Sequence, residues 1–211
     1  MLEIMKTLTK IFAAKIRSAA IVAGLLVLFT SCAEQNSVAE DPLSAEWQIA
    51  AFSSAAPDFI GDDATIVGYD SSVIRQGNNG WTCLSANPRN MPEAGWSTPH
   101  EAMPLCADEV SMAWVQAYVG GETPNLSRDA YIWMAHGDMG EDNTQPFVFN
   151  EEDATQGNWI ESGPHIMLMP QNPSSLDSFP SDFNNGEPYV MWKGNQYAHL
   201  MIPIEGYFDD Y

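Results

Sequence analysis

The sequence predicts an α+β fold: one domain on a mainly antiparallel sheet of about five or six strands, with helices on one side and one disulfide. Three observations predict it. Strand-like runs come in adjacent clusters, helical stretches gather near the N-terminal half, and strand–helix–strand alternation is scarce. A hydrophobic fraction of 45% is that of a globular chain rather than a disordered one.

The chain opens with Lys6, Lys10, Lys15 and Arg17 against the single acid Glu3, followed by an apolar run from Ala19 to Phe29 and the small residues Thr30 and Ser31 before Cys32. A basic stretch, a short apolar stretch and a small-residue cleavage site make residues 1–31 a secretory signal peptide. The apolar run is well short of the about 20 residues a membrane-spanning helix needs. Leu28-Phe-Thr-Ser-Cys32 resembles a bacterial lipobox, in which the cysteine is acylated and becomes the first residue. Phe29 departs from the leucine usual three places before it. The competing reading is ordinary cleavage after Ala33, since Ser31-Cys-Ala33 fits the small-x-small rule. With lipidation at Cys32, Ala33 resembles an outer-membrane sorting signal. Residues 32–42 are polar and read as a tether, and residues 43–211 as the globular domain.

Leu43 to Ala55 carries Leu43, Trp47 and Ala50 or Ala51 at helical spacing and is stopped by Pro57. Ala64–Gly68 and Ser72–Arg75 are short β-branched runs. Asn78-Asn-Gly80 reads as a turn and Gly80–Leu84 as the strand returning from it, a hairpin with Ser72–Arg75. Asp108 to Val119 is the best helix: acids begin it, Val110, Trp114 and Tyr118 share one face, and Gly120-Gly121 ends it. Ala130–Ala135 reads as a buried strand, Gly137–Pro146 as a polar loop, Phe147–Phe149 and Ile166–Met169 as strands. Asn172–Gly186 is loop with a helical turn around Leu176. Pro188–Trp192 and Tyr197–Ile202 form an antiparallel hairpin.

Acylation or loss with the leader removes Cys32 from disulfide chemistry. Cys83 and Cys106 remain, and an oxidising compartment predicts that they pair. The stretch from Asn87 to Pro99 between them has three prolines and no periodicity, a long loop that the bond would staple, stabilising the fold by about 3 kcal/mol. The pairing consumes the only thiols able to act as nucleophiles.

Four of the eight basic residues lie in the leader but only one of the 28 acids, so the rest of the chain is strongly acidic. That balance repels phosphate backbones and excludes nucleic acid as a partner. It equally excludes a basic patch on anionic lipid, leaving an N-terminal lipid as the membrane contact. The acidity reads as a solubilising surface or as attraction for cations. Arg75, Arg89, Arg128 and Lys193 read as structural ion pairs, with an anion clamp as the competing role.

Gly80-Trp-Thr-Cys83, Ser162-Gly-Pro-His-Ile-Met167, Pro188-Tyr-Val-Met-Trp192 and Tyr197-Ala-His-Leu-Met-Ile-Pro203 resemble the motifs of a family of small exported proteobacterial proteins. Residues 137–146 are similar to that family's polar loop, and the likeness spans most of Ala64 to Ile204. The resemblance implies an exported single domain and carries no activity with it.

Catalytic signatures are absent: no Gly-x-Ser-x-Gly, Ser-x-x-Lys, His-Glu-x-x-His, phosphate loop or dinucleotide fingerprint occurs. His165-Ile-Met167-Leu-Met169 places three side chains on one strand face, His199-Leu-Met201 repeats the pattern, and Met134-Ala-His136 is a weaker copy. Imidazole with thioether suits Cu(I), so His165, Met167, His199 and Met201 form a candidate soft-metal set. The plainer reading is methionine filling core gaps and histidine satisfying a buried hydrogen bond. Asp138, Glu141, Asp142 and Asn143 crowd one loop without the Asp-x-Asx-x-Asx-Gly spacing of a Ca²⁺ site, and read as solvated or as the lip of a pocket. In the pocket reading, His165, His199, Tyr197, Asp138 and Asn143 are the polar groups that contact the ligand.

Function therefore reads first as an exported, lipid-anchored envelope protein that binds a small molecule or an envelope protein without catalysis. A periplasmic copper-binding protein and a hydrolase with a histidine base are the alternatives.

Overall fold

The computed structural model describes residues 41–207. The expected signal peptide, the expected lipidation at Cys32 and the expected tether up to residue 40 lie outside the described residues. Among those described, no helix is long and apolar enough to cross a membrane.

Helix α1 (Ala45–Ser53) begins where the Ser44 hydroxyl accepts the Trp47 N–H, and a one-turn helix α2 (Asp58–Gly61) follows Pro57. Strands β1 (Thr65–Val67) and β2 (Val73–Arg75) pair antiparallel through the Gly68–Ser72 turn. Strand β3 (Trp81–Ser85) does not form the expected hairpin with β2. It lies on the far side of β1, parallel to it. Residues 76–80 cross the end of β1 instead of turning back. A Cβ on Gly77 would sit 2.3 Å from the Thr65 nitrogen, so only glycine permits the close approach. The Asn78 N–H donates to the Asp63 carbonyl and Asn79 Nδ2 to Ile60; turn-forming residues here pin a crossover.

Several elements were not expected, and two of them follow β3. Helix α3 (Pro99–Ala102) is a single turn held by a capping box between Thr98 and Glu101. Strand β4 (Pro104–Asp108) lacks a β-branched residue and runs directly into helix α4 (Glu109–Gly120), whose N-cap is Asp108. Burial of Pro104 through Ala107 makes β4 a strand against weak local preference. Its register sets Cys106 opposite Cys83, and the two are disulfide-bonded as expected.

The remaining strands are β5 (Ala130–Met134), β6 (Glu141–Asp142), β7 (Trp159–Ile160), β8 (His165–Met169), β9 (Tyr189–Met191) and β10 (His199–Pro203). The main sheet has eight strands in the order β2-β1-β3-β4-β5-β8-β10-β9, more than the five or six expected, while β6 and β7 form a separate pair. Every ladder except β1–β3 is antiparallel. Phe147–Phe149 is no strand, since Phe147 adopts left-handed backbone (φ 67°). The turn around Leu176 is present as a 3-10 helix over Pro173–Leu176.

Helices cover both faces, which corrects the one-sided arrangement. Ile66, Cys83 and Cys106 pack under Phe52 of α1. Leu105, Ala107, Ile132 and Met134 pack with Trp114 of α4 on the other face. Alternation along β4 sends Cys106 one way and its neighbours the other.

Candidate functional site

On the α4 face the antiparallel registers line up Ile132, Met167 and Met201 across β5, β8 and β10, with His165 beside Met134 and His199 beside Met191. Above them lies a cavity of about 490 Å³. Its floor is this stripe of methionines and histidines, with Leu84 and Leu105 from β3 and β4. Its roof is Trp114, Val115 and Tyr118 of α4, and its lip is formed by Asp138, Glu141, Phe147, Phe149 and Trp192. The volume and the mainly apolar wall with few polar groups are those of a small-molecule site.

The lip is rigidly built. Tyr118 stacks nearly parallel on Phe147 (4.6 Å), Trp192 (5.2 Å) and Trp114 (5.5 Å). Arg89 donates to the carbonyls of Met139, Gly140 and Phe149, gathering the two ends of the loop. Among the described residues outside glycine, left-handed backbone occurs at Ser71, Met103, Phe147 and Trp192. The last three line the cavity. Such conformations are costly for bulky side chains and collect where function over-determines the backbone.

His165 and His199 are both buried, and each ring is held in the same way. Nδ1 of His165 meets the Gly163 carbonyl at 2.7 Å, and Nδ1 of His199 meets the Tyr197 carbonyl at 3.0 Å. A carbonyl only accepts, so Nδ1 carries the hydrogen and Nε2 keeps its lone pair. His199 lies edge-on to Trp192 (4.9 Å) and Trp114 (5.5 Å). Burial pushes the His199 imidazole down to about 4, and His165 adds to that, against the Tyr197 carbonyl. Burial also lowers His165, although Asp138 and the Gly163 carbonyl oppose it. Both rings are neutral at neutral pH.

The expected residues divide. His165, His199 and Asp138 line the cavity, as do Met167 and Met201 of the soft-metal set. Tyr197 instead packs edge-on against Tyr118, Phe147 and Trp114. Asn143 is a scaffold residue: Nδ2 donates to the Ser181 carbonyl, and its backbone carbonyl accepts from the Trp192 N–H. Met167 and Met201 are cross-strand partners, but His165 pairs with Pro203, four residues beyond His199. The two histidines are thus offset by about 13 Å along the strands.

The acidic loop is buried rather than solvated. Asp138 Oδ1 accepts the N–H groups of Gly140 and Ser162. Asp142 accepts from Thr144, Gln145 and Thr155. Although burial resists its ionisation, those hydrogen bonds hold the Asp142 carboxyl below the usual range. The carboxylates serve the loop's own backbone, and no cluster of three or more His, Cys, Asp or Glu able to hold a metal occurs among the described residues. Glu141 differs. It is half-buried, set deep among protein atoms yet part of the cavity wall. Burial first, then Asp138, push its carboxyl up to about 8, against the pull of Arg89.

Of the four basic residues, only Arg128 forms an ion pair among the described residues, with Asp108. Arg75, Arg89 and Lys193 donate to backbone carbonyls. No serine hydroxyl bonds His165 or His199 there. The Ser–His contact that forms is Ser54 Oγ to His136 Nε2 at 2.8 Å, where Ser54 is exposed at the end of α1. Trp114 and Tyr118 escaped the sequence reading as site residues, and Glu141 and Arg89 entered it only as a member of the acidic loop and as an ion pair or anion clamp, because nothing local brings the loop, α4 and β8 together. No family model, curated protein or solved structure matches the chain.

Proposed function

We propose that this chain is an exported, lipid-anchored envelope protein whose folded domain binds a small, largely apolar ligand without transforming it. The cavity between α4 and the β5–β8–β10 floor carries this reading. Its walls supply methionine, which adapts to irregular shapes, and aromatic rings already fixed by mutual stacking. Two neutral imidazoles can accept hydrogen bonds through Nε2. The Cys83–Cys106 bond supports an oxidising compartment, and the leader's pattern supports the route to it.

The test is titration of residues 34–211 with the neutral fluorescent probe N-phenyl-1-naphthylamine. We expect saturable 1:1 binding that quenches tryptophan emission, and at least tenfold weaker binding in Met167→Trp, which fills the floor. Equal affinity in the two proteins, or no saturable binding in either, overturns the reading.

Soft-metal capture is the second reading, favoured by the cross-strand meeting of Met167 and Met201 and by the two Nε2 lone pairs. The register lets one ion draw on the methionine pair with one of the histidines.

A further inference from the structure

We propose that the cavity selects an organic cation, an alkylammonium or quaternary ammonium group on an apolar body, with Glu141 as its counter-ion; this rests on the ligand-binding reading. The charged groups of the wall are both acids, Asp138 and Glu141. They are not equivalent. Asp138 is committed to two backbone N–H groups, whereas no hydrogen bond reaches the Glu141 carboxyl from any described residue. A carboxyl that faces a cavity without a partner lacks the interaction that would offset its desolvation.

The groups around Glu141 are Asp138 from its own loop, Arg89 from the segment after β3, and Tyr118 from α4. Arg89 opposes a cation, although its Nη2 is turned to three loop carbonyls and its Nη1 to the Met103 sulfur. It stands against two carboxylates once Glu141 ionises. Neither histidine adds positive charge, since both rings are neutral. Tyr118 and Trp192 line the same wall, stacked on one another, an apolar surround in which an ion pair gains strength as water is excluded. The acidic surface of the whole chain concentrates cations near it.

Burial holds Glu141 largely as the neutral acid at neutral pH before a ligand enters. An entering ammonium favours the carboxylate, so binding releases a proton to solvent, and affinity rises between about pH 6 and pH 9 as the carboxyl ionises unaided.

Benzyltrimethylammonium and neopentylbenzene are isosteres that differ in charge. Calorimetry and tryptophan fluorescence with both, in two buffers of different ionisation enthalpy, test the proposal. We expect the cation to bind at least tenfold tighter than the hydrocarbon and to release protons. Glu141→Gln should lose at least tenfold in affinity for the cation while binding the hydrocarbon unchanged. A hydrocarbon that binds as tightly as the cation, or a Glu141→Gln protein that keeps the cation affinity, overturns the cation proposal and leaves the apolar-ligand reading standing. Binding of neither isostere overturns both.

Discussion

Met167 and Met201 face each other across the β8–β10 ladder, on the same sheet face as His165 and His199. The histidines stand to either side of that pair rather than around it. A metal site here therefore has to be asymmetric, two thioethers and one imidazole. Competitive Cu(I) titration of the wild type, Met167→Leu, Met201→Leu, His165→Ala and His199→Ala reads this out. Capture by the pair costs at least tenfold in both methionine variants and in one histidine variant. Equal loss in both histidine variants contradicts the register, and unchanged weak binding throughout ends the metal reading.

Stability should have an acid limb and an alkaline limb of different origin. His199 titrates near 4 when folded and near 6.5 when unfolded, so the unfolded chain takes up the proton first, and stability falls as pH drops from about 6.5 toward 4. Glu141 titrates near 8 when folded and near 4.5 when unfolded. Its contribution is complete below about 4.5 and is lost as pH rises toward 8. Urea midpoints across pH 4–9 should show Glu141→Gln flattening the alkaline limb and His199→Gln flattening the acid one. A limb that keeps its slope in its variant assigns that slope to another group.

Arg89 ties Met139, Gly140 and Phe149 to one guanidinium. Arg89→Met keeps the stem and removes the donors, leaving three carbonyls to find water. We expect a loss of about 1–3 kcal/mol in urea unfolding, with faster hydrogen exchange concentrated in residues 138–149. Exchange that rises evenly over the sheet instead would mean that the arginine supports the whole fold rather than the lip.

Export and anchoring make a paired prediction. Protein from cells carrying the full chain should incorporate labelled palmitate, Cys32→Ser should abolish the label, and Cys83 and Cys106 should resist alkylation until reduced. Reduction should lower unfolding stability by about 3 kcal/mol. Unlabelled wild type with a normal disulfide would leave export standing and remove the anchor.

Much of the secondary structure was legible because it is local. Trp114 and Tyr118 at helical spacing, Gly121 after the last turn, and the alternation of His165, Met167 and Met169 are each set within a few residues. The Cys83–Cys106 pairing was legible by elimination. Strand β4 was not, because Leu105-Cys-Ala107 owes its conformation to burial between β3 and β5 rather than to its own preference. The β2–β3 hairpin misread Asn78-Asn-Gly80, since turn residues state that the chain bends and not which strand it then meets.

The candidate site divides along the same line. The strand period alone put His165 with Met167 and His199 with Met201, and the composition alone made the chain acidic. Only the tertiary structure decided that these two strands are neighbours, that α4 roofs them, and that the Glu141 carboxyl closes the lip without a hydrogen bond from any described residue. Periodicity is a property of adjacent residues and survives in the sequence. A cavity is made by surfaces from β3, α4, β6 and β10 meeting at long range, and its chemistry depends on water excluded by all of them together.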